Sequence, residues 1–228
     1  KFCNLWLKKF GIEVTYFDPM VGAGIEKYIR SETRMVLLES PGSLTFEVQD
    51  VPAIAAAAHD HDILVAIDNT WSAGYYFDAF QHGCDISLQA GTKYIVGHSD
   101  AMLGTITSSE KLWLTLKDTT HQFGFHTAPD DCYLGMRGLR SIAARMPRHQ
   151  ETALTLACWL AKRPEVETVL HPALPSCSGH DIWKRDFTGS SGLFGVVLKE
   201  GFSEIAVAAM VDNLELFGIG QCDGRPWL

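Results

Sequence analysis

The chain has 228 residues, of which 46% are hydrophobic and 20% charged, with a formal net charge of −8. That size and balance fit a globular protein with one domain and part of a second, and the acidic charge argues against a nucleic-acid or anionic-membrane surface. No apolar run approaches membrane-spanning length and no signal-peptide pattern opens the chain. The six cysteines show no CxxC pair and no zinc spacing, which predicts reduced thiols in a cytoplasmic protein.

The opening residues predict an amphipathic helix with Phe2, Leu5, Trp6 and Phe10 on its apolar side. Residues 12–17 read as a strand, Asp18-Pro19 as a turn and 24–30 as a short helix. Residues 34–39 form a nearly continuous apolar run, the pattern of a strand buried on both faces. Asp50 is placed to cap a helix with Pro52 in its first turn, carried by Ile54 and the alanines to Ala58. Three more β-type runs follow at 63–67, 85–89 and 102–108. Strands alternating with helices predict an α/β fold, a mainly parallel sheet with helices on both faces. Beyond Glu110, residues 111–117 look helical, 129–145 read as a loop leading into a helix, and a long helix spans 148–161. A strand at 166–170, another at 192–198 and a helix near 205–213 predict the start of a smaller C-terminal α/β domain. The boundary falls between residues 1–147 and 148–228. The chain opens on Lys1 and stops soon after a glycine-rich turn, which predicts an internal fragment of a longer protein.

Two polar residues fall at the ends of β-type runs. Asp68 closes Ile63–Ile67 in the stretch Asp68-Asn69-Thr70-Trp71, and Lys93 follows Asp85–Gln89 in Gly91-Thr92-Lys93-Tyr94. In such sheets the ligand lies beyond the carboxyl ends of the strands. A lysine after one strand and an acid at the tip of an earlier one is how an enzyme holds pyridoxal phosphate. The amine bonds to the aldehyde, and the carboxylate keeps the pyridine nitrogen protonated so that the ring acts as an electron sink.

Six stretches then carry a family resemblance: Leu38-Glu39-Ser40-Pro41-Gly42-Ser43; Asp68-Asn69-Thr70-Trp71; Thr92-Lys93-Tyr94 with Gly97-His98-Ser99-Asp100; Arg137-Gly138-Leu139-Arg140; His171-Pro172-Ala173-Leu174-Pro175; and Arg185 to Phe194. In this order they resemble the pyridoxal-phosphate enzymes of cysteine and methionine metabolism, and among them the bacterial cystathionine β-lyases. The resemblance implies a fold-type I transferase-like architecture. It also implies carbon–sulfur β-lyase activity on cystathionine, giving homocysteine, pyruvate and ammonia, in a cytoplasmic homotetramer of methionine biosynthesis. It makes Lys93 catalytic, with Asp68, Thr92, Lys93 and Ser43 binding the cofactor: Asp68 at the ring nitrogen, Thr92 at the phosphate, Ser43 near the ring hydroxyl.

The departures from the family pattern are specific. Many members carry a serine on the phosphate where this chain has Ala90, and many have an asparagine where it has Ser43. The tail at 221–225 differs from the Tyr-Ser-Trp-Gly-Gly of related β-lyases. The resemblance places the phosphate-binding glycine turn and the ring-stacking tyrosine before Lys1, and the arginine for the substrate carboxylate after Leu228. Two alternatives follow: a γ-acting relative such as cystathionine γ-synthase or methionine γ-lyase, and a non-catalytic truncated fragment.

Other polar groups are read as structural. His59-Asp60-His61-Asp62 cannot converge on one metal ion and reads as a solvated helix end. His98 reads as structural beside the lysine loop, and Arg137 and Arg140 as ion-pairing residues. Tyr75-Tyr76-Phe77 reads as core or subunit contact.

Overall fold

The structure is a computed structural model that describes residues 2–216 and 218; the divergent stretch 221–225 and Cys222 lie outside them. The opening does not sustain one helix. α1 (Phe2–Leu5) is a single turn, followed by a 3-10 turn at Leu7–Phe10 that Gly11 ends in the left-handed region at φ 74. So short a pair presents no continuous apolar side, and Leu5, Trp6 and Phe10 are exposed. Residues 12–17 are irregular and not the expected strand. Alternation alone does not make a strand when no neighbouring strand supplies its hydrogen bonds. The expected short helix is a 3-10 segment, Gly22–Tyr28.

The sheet follows the remaining β-type runs. β1 (Met35–Glu39), β2 (Leu64–Asp68) and β3 (Ile86–Gln89) are parallel neighbours, and β4 (Thr105–Ser108) pairs antiparallel with β3. The spatial order is β1-β2-β3-β4. α2 (Val51–His59) crosses from β1 to β2, and the Asp50 carboxylate accepts from the Ala53 N–H as the sequence predicts. Val36 and Leu38 meet Val51 and Ile54 of α2, with Val65 and Ile67 of β2, in the main core. β2 is the strand enclosed on both faces. β1 is not: its burial alternates, with Met35 and Leu37 about half exposed.

Next come α3 (Glu110–Gln122), α4 (Pro129–Leu139), where a loop was expected to lead into a helix, and α5 (Ile142–Leu160). α5 begins upstream of the predicted start and carries Pro147 inside it. Proline removes one backbone bond and favours a helix break. Here the fully buried Met146 anchors the first turns against Tyr76 and Ala73, so tertiary packing overrides the local signal. β5 (Val166–Leu170), α6 (His180–Asp186, not predicted), β6 (Gly195–Leu198) and α7 (Glu204–Asp212) complete the described chain, with β5 and β6 antiparallel.

The segment around α6 packs back on the main core. Phe187 lies 4.6 Å from Phe77 and meets Trp71 edge-on at 6.0 Å. Arg185 bridges the exposed rim, 2.7 Å from Asp50 and 2.6 Å from Asp186. Trp71 Nε1 donates to the Leu193 carbonyl at 2.9 Å. Residues after α5 therefore form one wall beside the strand ends of the first sheet.

Candidate active site

The carboxyl ends of β1 and β2 and the turn after β3 open into a cavity of about 640 Å³, within the range that holds cofactors and small ligands. Its lining includes Glu39 and Ser43 after β1, Thr70 and Trp71 after β2, and Thr92, Lys93 and Tyr94 after β3. Arg145 and His149 reach it from α5, Asp131 from α4, and Leu193 from the segment after α6.

Asp68 ends β2, in register with Glu39 of β1 and Leu88 of β3. Its Oδ1 accepts from the Thr70 N–H at 3.0 Å and the Thr70 hydroxyl at 2.5 Å. The Thr70 oxygen in turn accepts from the Ala90 N–H at 2.8 Å, which leaves the hydroxyl proton pointing at Asp68. Both bonds require an acceptor oxygen, so Asp68 Oδ1 is held as an acceptor by residues of its own strand end. Asp68 is not among the residues that line the cavity; Thr70, which it holds, is. Beside it, burial pushes the Glu39 carboxyl above the usual carboxylate range. The Ser43 hydroxyl, which donates to Glu39 Oε1, pulls the other way, and the Asp68 charge adds to the rise.

Lys93 sits on a tight turn. Its N–H donates to the Ala90 carbonyl at 2.9 Å, and its carbonyl accepts from Gly97 at 2.8 Å. Thr92 leans on the irregular segment leading to β4. Its Oγ1 accepts from the Leu103 N–H at 2.9 Å and donates to the Leu103 carbonyl at 3.3 Å. The backbone N–H groups from Ala90 to Lys93 all bond within the chain. This stretch therefore offers an anion side-chain hydroxyls and no ring of free amides. With Ala90 in place, the only such hydroxyl is that of Thr92.

Behind Lys93, the Tyr94 hydroxyl accepts from the Gly192 N–H at 3.1 Å, and its ring meets His149 edge-on at 5.4 Å. Burial raises the Tyr94 phenol, while burial and then the Arg145 charge push His149 below its ordinary range.

The structure thus brings Ser43, Thr92 and Lys93 to one cavity, and Asp68 is bonded to Thr70 of its lining. Sequence reasoning missed Glu39, Thr70, Tyr94, Arg145 and His149 as site residues. The stretches quoted for Asp68 and Lys93 already contained Thr70 and Tyr94; nothing in the sequence links α5 to this cavity. Among the structural readings, His98 Nδ1 donates to the Val96 carbonyl at 2.9 Å, and His59 pairs with Asp85 at 3.0 Å. Arg137 and Arg140, expected to form ion pairs, are exposed and form none among the described residues.

Residues 1–225 match the family model described as Cys/Met metabolism PLP-dependent enzyme. The chain belongs to that family. It is 49% identical over 98% of its length to a putative cystathionine β-lyase of Rhizobium johnstonii, and 47% identical over 98% to the cystathionine β-lyase of Escherichia coli K12. It spans 57% of the length of each. The crystal structure of cystathionine γ-lyase from Lactobacillus plantarum, complexed with L-serine, superposes with a TM-score of 0.92 at 27% identity, covering 96% of this chain and 57% of that one. The fold is therefore the α/β architecture of a pyridoxal-phosphate-dependent lyase, and the family's cofactor is pyridoxal phosphate. The donor set suits this group: an amine on the cavity wall, a carboxylate fixed as an acceptor, and a hydroxyl whose weaker bond is replaceable.

Proposed function

We propose that the protein containing this chain is a carbon–sulfur β-lyase that cleaves cystathionine to homocysteine, pyruvate and ammonia. Lys93 is its catalytic residue, and Asp68, Thr92, Ser43 and Lys93 bind the cofactor. The observation that carries this reading is the pairing of two strand ends. Asp68 is held as an acceptor by both donors of Thr70, and Lys93 lies on the wall of the cavity that Thr70 also lines.

Bound pyridoxal phosphate supplies an electron sink for the charge left on the substrate's α-carbon. Lys93 Nζ would hold the cofactor through its aldehyde, and its free amine would be the base for the substrate's α-proton. Asp68 would accept the N–H of the ring nitrogen and keep its positive charge in place. Thr92 Oγ1, whose bond to the Leu103 carbonyl is 3.3 Å, would donate to the phosphate. Cystathionine and one water would together give homocysteine, pyruvate and ammonia, the proton taken from the α-carbon balancing the one gained by the departing sulfur.

Greater identity to the two β-lyases than to the γ-lyase structure favours β-elimination. Cystathionine supplied to the complete protein should release pyruvate; 2-oxobutyrate would assign a γ-acting enzyme instead. Replacing Lys93 by Ala should lower pyruvate release by about 10²–10⁴-fold, the usual range for a positioned acid–base group. A purified chain that stays colourless and takes no borohydride-fixed pyridoxyl group on Lys93 would favour a non-catalytic role. In this reading residues 1–147 supply the cofactor-binding part of a cytoplasmic homo-oligomer. Residues 148–228 supply the linking helix and the start of a smaller domain.

A further inference from the structure

Helix α5 reaches the turn that carries Lys93 through one side chain. Arg145 Nη2 donates to the Tyr94 carbonyl at 2.7 Å, to the Gly138 carbonyl at 3.1 Å and, at 3.5 Å, to that of Ile95. Its Nε donates to Ser141 Oγ at 2.9 Å, and Ser141 Oγ donates to the same Gly138 carbonyl at 3.0 Å. No carboxylate pairs with Arg145 among the described residues; besides Ser141 Oγ, its partners are main-chain oxygens of the lysine turn and of the α4 C-terminus, the negative end of a helix dipole. Two glycines make the approach possible. A Cβ on Gly97, at φ +73, would fall 2.4 Å from Arg145 Nη1, and one on Gly138 would fall 2.0 Å from the Ile95 carbonyl. The turn is thus seated on α4 from one side and tied to α5 by a guanidinium from the other.

We propose that Arg145 is the positioning residue for Lys93: it fixes the carbonyls just after the lysine, so that the amine is presented to the cavity in one place. The guanidinium is suited to this because Nη2 bridges the Tyr94 and Gly138 carbonyls while Nε, on the same rigid plane, is held by Ser141, a pair of anchors that a single ammonium does not reproduce. Arg145 also lines the cavity, and its hydrogen bonds run to the backbone of the lysine turn, so the role inferred for it is one of positioning. The inference rests on the reading of Lys93 as the cofactor-bearing lysine.

The test uses the complete protein, stripped of cofactor and mixed with pyridoxal phosphate, with borohydride quenching and mass spectrometry of the Lys93 peptide. Arg145→Met should slow fixation on Lys93 by about tenfold, less than the loss a 1 Å misplacement of a reacting group can cause. Arg145→Lys should recover part of the rate. Ser141→Ala, which frees the Nε end only, should slow it less than Arg145→Met, and it decides the matter if that variant does not fold. Ala157→Gly, farther along α5 under β5, weakens the helix but should leave the rate unchanged. Fixation by Arg145→Met and Ser141→Ala at the wild-type rate would overturn the proposal. So would equal slowing by Ala157→Gly, which would make the effect one of general stability. Wild-type protein that is never labelled at Lys93 would instead remove the reading on which the proposal rests, and the proposal with it.

Discussion

At the β2 end of the cavity, Asp68 meets two donors from Thr70, and Thr70 is itself held by Ala90, so the acid is oriented before any ligand arrives. At the Thr92 end, the hydroxyl is already bonded to Leu103, the neighbouring amides are committed to the chain, and Ala90 brings no hydroxyl. An oriented acceptor costs nothing to reorganise when charge appears beside it. A donor with a standing partner must exchange one bond for another, and its net contribution is smaller. In the proposed assignment the nitrogen end therefore has an oriented acceptor, and the phosphate end is sparse.

The strongest way to break this contrast is Asp68→Asn. The amide oxygen still accepts from Thr70 but carries no charge, and turnover should fall by about 10³-fold, or about 4 kcal/mol. The cofactor should remain fixable on Lys93. Turnover within tenfold of wild type would mean that the charge at Asp68 does not govern the nitrogen end.

Acid sets the range in which such comparisons are valid. Burial pushes fully enclosed His171 down to about 4 from its ordinary 6.5. The folded state then holds His171 neutral while the unfolded chain still binds the proton. Stability should be level above pH 6.5, fall by about 3 kcal/mol between pH 6.5 and 4, and level again below. Urea midpoints measured across that range check the slope, and His171→Asn should flatten it.

Thr92→Val keeps the shape of the side chain and removes the hydroxyl. Loss of one charge-assisted bond, about 2 kcal/mol, should weaken cofactor affinity by about 30-fold, read by absorbance titration. The gentlest change is Ala90→Ser, which adds the hydroxyl that many relatives carry. Affinity should tighten by about fivefold, near 1 kcal/mol. An unchanged affinity would show that position 90 does not face the phosphate and that the sparseness lies elsewhere.

Much of the first sheet was legible because its strands are short apolar runs ended by polar residues. That is how Asp68 and Lys93 could be placed at strand ends before any coordinates. The failures share a cause. Residues 12–17 have the alternation of a strand but no partner, β1 has the composition of an enclosed strand but one open face, and the helix expected over 148–161 starts at Ile142, where packing holds it together through Pro147. Each depends on what lies across from the element, which local pattern does not encode. The same limit hid Arg145 and His149, whose helix meets the lysine turn only after folding. Thr70 was a different case: it stood two residues from Asp68, where a short side-chain hydroxyl commonly bonds the nearby acid.

The bond from Trp71 to Leu193 joins residues 122 positions apart. Contacts of such span form late, because a long loop must close before they return any stabilisation. A growing chain therefore makes the Asp68 strand and the Lys93 turn well before it makes the wall that shelters them. Until Phe187 and Leu193 arrive, Trp71 and Phe77 lack their cover. A stalled or shortened chain would present that aromatic pair to water and to its neighbours, so the order of synthesis itself makes the unfinished site a place for aggregation.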